Sequence, residues 1–105
     1  MDQNKRKVVV SDSAILDLKR ILGYWIERND STTFSHHINN EFFRVLSEIT
    51  NHPYSGKRIG KRAETRRKIL LEDYWVIYQV DKNRIRILSV FDMRRNPDLI
   101  AKYFK

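Results

Sequence analysis

The chain lacks cysteine, and its 105 residues include only three glycines and two prolines. Without cysteine, a disulfide framework and a zinc site built on thiolates are excluded, and we expect a cytoplasmic protein. So few glycines form no G-x-G-x-x-G or Walker-type loop, and we expect no cofactor. Apolar runs are only a few residues long, far below the ~20 that span a bilayer, and the polar start of the chain predicts no signal peptide.

Positive charge is abundant, and it is concentrated in one half of the chain. Lysine and arginine number 21 against 13 aspartates and glutamates, which gives a net charge of +8. Residues 1–52 hold seven of each sign, so the whole excess lies in residues 53–105, with fourteen basic and six acidic residues. This asymmetry favours an anionic partner, either nucleic acid or an acidic protein segment, although a basic face can also serve solubility alone.

The first half of the sequence predicts a strand followed by two helices. Three consecutive valines predict a short strand over residues 5–10. After Ser11, apolar residues recur every three or four positions to Asn29, and the pattern restarts and continues to Asn51. Because the connection is so short, the two amphipathic helices are expected to form an antiparallel hairpin.

The second half changes to an alternating pattern. After a loop over residues 53–64, strands are predicted at 65–71, 74–80 and 84–91, with a short helix at 97–104. Connections of two and three residues make the three strands antiparallel neighbours. The length and the element order predict one α+β domain over residues 1–105, in which an antiparallel sheet packs on the helical hairpin and its opposite face is open.

The densest basic segment runs through the loop and the first strand of this meander. It contains Lys57, Arg58, Lys61, Arg62, Arg66, Arg67 and Lys68, with Glu64 as the only acid. Arg66 and Lys68 are two positions apart in a strand, so both point to one face, where they can hold a phosphate and stabilise a phosphoryl-transfer transition state. Lys61 and Arg62 are candidates for binding. Carboxylates of an acidic partner explain the cluster equally well.

A second basic group follows the last strand. Arg94 and Arg95 come just after Asp92, where the meander brings the chain near the first of its strands. One of them could therefore join the side of Arg66 and Lys68. Asp92 could instead pair with one of these arginines and only hold the turn.

Aromatic residues are interleaved with the basic strands. Tyr78 is expected in the core, whereas Trp75, on the open face, is the better candidate for stacking on a base or binding a partner, and Tyr103 is a further candidate. The three histidines have no metal-ligand spacing, so no metal site is predicted.

Several stretches of the sequence resemble a known family. The run YWVIYQV at residues 74–80, the run IRILSVFDMRRNP at 85–97, and PYSG at 53–56 before a basic strand are similar to parts of the RelE/ParE-superfamily toxins. The resemblance covers the chain from Val8 to about Tyr103. It implies the toxin half of a bacterial type II toxin–antitoxin module of the plasmid-stabilisation type, neutralised by an acidic antitoxin with which it forms an oligomer.

The superfamily contains two different activities. RelE-like members are ribosome-dependent mRNA endoribonucleases, whereas ParE-like members poison DNA gyrase and are not nucleases. The paired basic residues of the RelE-like pattern match Arg66 and Lys68, but its arginine in the next strand falls on Trp75. Its basic residue after the last strand falls near Met93, with Arg94 as the nearest substitute, and its C-terminal tyrosine has no aligned match.

The run at residues 91–97 and the long helical hairpin are more similar to ParE-like members. The resemblance therefore favours a ParE-like toxin that acts on DNA gyrase. One alternative is a RelE-like ribonuclease that uses Arg66, Lys68 and Arg94 at the scissile phosphate. The other is a non-toxic basic module that binds nucleic acid.

Overall fold

The computed structural model describes residues 6–61 and 64–105. Its regular elements are, in chain order, β1 (Lys7–Val10), α1 (Asp12–Asn29), α2 (Thr33–Asn51), β2 (Lys57–Arg58), β3 (Thr65–Leu70), β4 (Tyr74–Val80) and β5 (Arg84–Asp92). A 3₁₀ turn precedes β2, and a 3₁₀ helix at Pro97–Phe104, here called the C-terminal segment, follows β5. This arrangement confirms the α+β prediction. Among the described residues, no helix is both long and apolar enough to cross a membrane.

The five strands form one sheet in the order β1-β5-β4-β3-β2. The meander of β3, β4 and β5 is antiparallel, as the short connections predict. β1 lies at one edge and pairs in parallel with β5, where Val8 is opposite Ile85. The connection between these two parallel strands runs through both helices and then through β2, β3 and β4. A register shift between Ile77 and Tyr78 marks a bulge in the β4–β5 pair.

The helical hairpin covers one face of the sheet, here called the helix face. The side chain of Ser11 caps α1 by accepting a hydrogen bond from the backbone N–H of Ala14 at 3.0 Å. The hydroxyl of Ser35 in α2 donates to the carbonyl oxygen of Leu22 in α1 at 2.7 Å, which ties the two helices together. The core below them consists of buried residues from both layers, among them Ala14, Phe42, Val45, Ile49, Val76, Tyr78 and Ile87.

The opposite face of the sheet, here called the outer face, is covered over part of its area, so the prediction of an open face is wrong there. Ile100 of the C-terminal segment packs with Ile59, Ile77 and Phe91 in a second apolar cluster. Ile77 is completely buried as a result. Apolar residues alternate onto both faces of β4, so this face also needs a cover, and the C-terminal segment supplies part of it.

The turn between β3 and β4 also differs from the prediction. The strand ends at Leu70, and Leu71 belongs to the turn. Leu71 and Glu72 have φ angles of 51° and 69°, a left-handed conformation that glycine and asparagine adopt more easily. Leu71 packs against the core below the helices, and this burial offsets the unfavourable backbone conformation.

Candidate functional site

Arg66 lies on the helix face of β3, and its guanidinium is fully engaged. It is opposite Tyr78 of β4 in the antiparallel register. The guanidinium contacts Glu64 Oε1 at 2.9 Å and donates to the carbonyl oxygens of Tyr54 and Gly56 at 3.0 and 2.8 Å. It also lies over the ring of Tyr54, 5.2 Å from the centroid. Arg66 therefore holds the loop before β2 against β3.

Lys68 shares the helix face with Arg66, as the alternation predicts. It is opposite Val76, and its Nζ lies 3.2 Å from Glu48 Oε1 of α2. Glu48 also accepts a hydrogen bond from Arg44 at 2.7 Å. The hydrogen bond from Lys68 is the main cause that lowers the pKa of Glu48. Lys68 thus joins the sheet to α2 through a shared carboxylate.

Arg94 forms a two-pronged ion pair with Asp92. Its Nε and Nη2 lie 2.9 Å from Asp92 Oδ1 and Oδ2, which confirms the alternative in which Asp92 holds the turn. The guanidinium also lies 5.8 Å from the ring of Trp25, whose Nε1 donates to the hydroxyl of Tyr74 at 2.7 Å. The hydrogen bonds from Arg94 lower the pKa of Asp92, and the pair raises the pKa of Arg94.

The structure does not bring Arg94 into contact with Arg66 or Lys68. Arg94 contacts Tyr74 at the start of β4, whereas Arg66 is opposite Tyr78, four residues further along the same strand. That separation is roughly 13 Å at 3.3 Å per residue. The structure therefore holds Arg94 apart from Arg66, whereas Lys68, opposite Val76, lies between them along the strand.

Replacing Arg94 by glutamine is expected to raise the pKa of Asp92 towards its ordinary value. A carboxyl whose pKa is lowered by folding stabilises the fold above its unfolded pKa, and this stability is lost as the pH falls through the folded pKa. The variant should therefore be less stable than wild type by about 1 kcal/mol at pH 7, and the difference should shrink below about pH 4. Urea unfolding between pH 7 and pH 3 measures it. Lys19→Gln is the control, and a difference for Arg94→Gln that is independent of pH would contradict the assignment.

Arg95 lies at the mouth of a groove between α1 and the end of β5, here called the α1–β5 groove. It consists of two clefts of 270 and 200 Å³, which both include Asp17, Arg20 and Arg95. The first cleft is lined further by Ile21, Tyr24, Tyr74, Val90 and Asp92. The second extends to Tyr103 and Leu99 of the C-terminal segment.

Asp17 connects the two walls of this groove. Its Oδ2 accepts hydrogen bonds from Ser89 Oγ at 2.9 Å and from the backbone N–H of Val90 at 3.0 Å. Arg20 lies 3.9 Å from the other carboxylate oxygen. The sequence does not single out Asp17, Arg20 and Tyr24, because helical spacing alone does not show that this part of α1 lies against the end of β5.

Trp75 is less available for stacking than the sequence predicts. The guanidinium of Arg67 lies over its ring at 4.7 Å, and the ring of Phe104 lies 6.1 Å away. Lys61 is exposed, next to Gly60. Arg62 lies outside the described residues. Among the described residues, no group of side chains could hold a metal ion.

The sequence of the chain matches one family of proteins. Residues 8–97 match the family model of the ParE toxin of the type II toxin–antitoxin system parDE. The chain therefore belongs to the ParE toxin family and is the toxin component of such a system. No curated protein matches the sequence significantly.

Solved structures of three related systems have the same fold. The chromosomal ParDE toxin–antitoxin system from P. aeruginosa matches with a TM-score of 0.70 and 12% identity, over 86% of this chain and 98% of that chain. The E. coli DinJ–YafQ toxin–antitoxin complex matches with a TM-score of 0.59 and 12% identity, over 86% of this chain and 94% of that chain. The YoeB dimer from Staphylococcus aureus matches with a TM-score of 0.58 and 16% identity, over 81% of this chain and 93% of that chain. At these identities the likeness concerns the fold.

Proposed function

We propose that this ParE-family toxin acts in the bacterial cytoplasm by binding its target, that the target is DNA gyrase, and that an acidic antitoxin neutralises it. Membership of the family supports the choice of gyrase over the ribosome. The observation that carries the choice of binding over RNA cleavage is that Arg66, Lys68 and Arg94 are each held by a carboxylate of the chain itself.

Stabilisation of a phosphoryl-transfer transition state requires donors that are already directed at the position where charge develops. Here a scissile phosphate would have to displace Glu64, Glu48 or Asp92 from its cation and leave that carboxylate without its partner. Arg94 and Arg66 also lie apart, since Arg94 contacts Tyr74 and Arg66 is opposite Tyr78. The three cations serve better as links between elements than as one phosphate site.

The tyrosine next to these cations does not suit general acid–base chemistry either. The hydroxyl of Tyr78 donates to the carbonyl oxygen of Pro53 at 2.7 Å and accepts from the backbone N–H of Gly56 at 3.0 Å. Its side chain is completely buried, and this burial raises the pKa of the hydroxyl. The hydroxyl is therefore a structural group that anchors the loop before β2.

The α1–β5 groove is the surface that we assign to the antitoxin. The side chains of Ile21, Tyr24 and Val90 give it an apolar floor, and Arg20 and Arg95 stand at its mouth. Within residues 6–61 and 64–105, Arg95 forms no ion pair, and that of Arg20 is long. An acidic antitoxin segment can place carboxylates on the two arginines and an apolar side chain in the cleft. The complexes from P. aeruginosa and E. coli support an antitoxin partner for this fold.

A supercoiling assay with purified DNA gyrase and relaxed plasmid tests the proposed target. We expect the protein to inhibit supercoiling, and we expect Lys68→Ala to inhibit within about threefold of wild type, because Lys68 links β3 to α2 and does not act on a phosphate. Circular dichroism confirms that the variant is folded. No effect on gyrase from a protein that arrests growth in cells would contradict the proposal.

A further inference from the structure

The basic residues on the two faces of the sheet differ in their ion pairing. The strand cations on the helix face, Arg58, Arg66 and Lys68, all form ion pairs, the first two with Glu64 and the third with Glu48. Alternation along the strands places the remaining five on the outer face, namely Lys7, Lys57, Arg67, Arg84 and Arg86. Within the part of the chain that the structure describes, only Arg84 of these five pairs with a carboxylate, that of Asp81 at 3.4 Å.

The strand register places the outer-face cations in two groups on either side of β4, here together called the band, with Gln79 and the covered Ile77 of β4 between them. Lys7 of β1 is beside Arg84 of β5, and Lys57 of β2 is beside Arg67 of β3. Arg86 donates a hydrogen bond to the side-chain oxygen of Gln79 in β4. Four strand spacings make this band roughly 19 Å wide. The one acidic residue in the strands is opposite Tyr74 on the helix face, so no strand carboxylate interrupts the band.

Many exposed apolar residues lie elsewhere, whereas Ile69 of β3 and Phe104 of the C-terminal segment are exposed beside Trp75, at one end of this face. Five of the large apolar side chains with substantial exposure belong to the helical hairpin, namely Ile15, Leu16, Tyr24, Ile26 and Phe43. Protein interfaces have an apolar, aromatic centre, and single-stranded nucleic acid binds by stacking on aromatic rings. Trp75, the aromatic residue nearest to the band, is covered by Arg67 and Phe104. A band of cations whose exposed apolar neighbours, Ile69 and Phe104, lie together at one end of it fits the phosphates of a duplex.

We propose that the outer face binds the phosphate backbone of a nucleic-acid duplex without reading its sequence, through Lys7, Lys57, Arg67 and Arg86. Duplex DNA has one charge per ~1.7 Å of helix axis when both strands are counted, so a length of duplex equal to this width carries about eleven phosphates, more than the four cations need. This binding does not depend on whether gyrase is the target.

Fluorescence anisotropy with a labelled 20-base-pair DNA duplex, between 50 and 200 mM salt, tests the assignment. Each phosphate contact contributes about 0.9 to the slope of log K against log salt, so Lys7→Gln/Arg86→Gln should reduce the slope by about 1.8. The matched control is Lys19→Gln/Arg28→Gln, which removes the same net charge from exposed positions on α1. It should leave the slope unchanged. A duplex RNA of the same sequence, used as competitor, shows which duplex the face prefers.

Three results would overturn the proposal. Wild-type protein should bind the duplex at 50 mM salt, and its failure to do so would exclude a duplex site. An equal decrease of the slope in both double variants would show that only the net charge of the protein matters, not these positions. Displacement of the duplex by polyglutamate at lower concentration than by unlabelled DNA would assign the face to an acidic protein. The double variant should still inhibit gyrase, so a failure of DNA binding is distinguishable from a failure of the proposed target.

Discussion

Replacing Gly56 by alanine is expected to destabilise the fold by about 3 kcal/mol, which lowers Tm by roughly 12–24 °C. A Cβ at this position would lie 2.7 Å from the carbonyl oxygen of Arg67 and would also collide with the hydroxyl of Tyr78. Neither neighbour can move easily, because Arg67 lies within β3 and Tyr78 is completely buried. Moving the loop instead would break the hydrogen bonds that the Tyr78 hydroxyl forms with Gly56 and Pro53.

The same substitution in α1 provides the control. Gly23 lies in the middle of the helix, and a Cβ there would meet no atom within 4 Å. Alanine favours a helix interior over glycine by about 0.8–1.0 kcal/mol, so Gly23→Ala should raise stability. Thermal unfolding followed by circular dichroism measures both variants. Shifts of the same sign, or a Gly56→Ala variant as stable as wild type, would contradict the packing at Gly56.

Replacing Ile100 by alanine is expected to cost about 2–4 kcal/mol, as is usual for a buried isoleucine. Ile100 is 4% exposed and packs on Ile77 and Phe91, so its truncation leaves a cavity over the outer face. The adjacent Leu99 is 52% exposed, and Leu99→Ala should change stability by less than about 0.5 kcal/mol. Urea unfolding of the two variants tests whether the C-terminal segment belongs to the core. Equal effects at the two positions would show that it does not.

Much of the fold could be predicted because the period of the apolar residues changes once along the chain. Helical spacing over residues 12–51 and alternation from 65 onward define both layers and the meander. The parallel pairing of β1 with β5 could not be derived, because three valines carry no information on their partner strand. The cover of the outer face could not be derived, because the apolar side of an eight-residue segment after β5 does not show which face of the sheet it packs on.

The sequence located the basic residues of the site but did not show how they are neutralised. The pairing of Arg94 with Asp92 was foreseeable, since the two are neighbours at the end of a strand. The contact between Lys68 and Glu48 was not, because it depends on how α2 packs on β3. Likewise, the ion pair of Arg66 with Glu64 and the loop carbonyls shows only in three dimensions. Because of these partners, the cations link elements of the fold instead of being free to bind a phosphate.

The measurement that tests the central claim most directly is primer extension on mRNA in a translating cell-free extract, with and without the purified protein. A toxin that acts by binding gyrase should leave the mRNA intact at concentrations that inhibit supercoiling. Discrete new 5′ ends that appear with wild-type protein and disappear with Lys68→Ala would contradict this account. They would identify the chain as a ribosome-dependent ribonuclease, with Lys68 released from Glu48 on the ribosome.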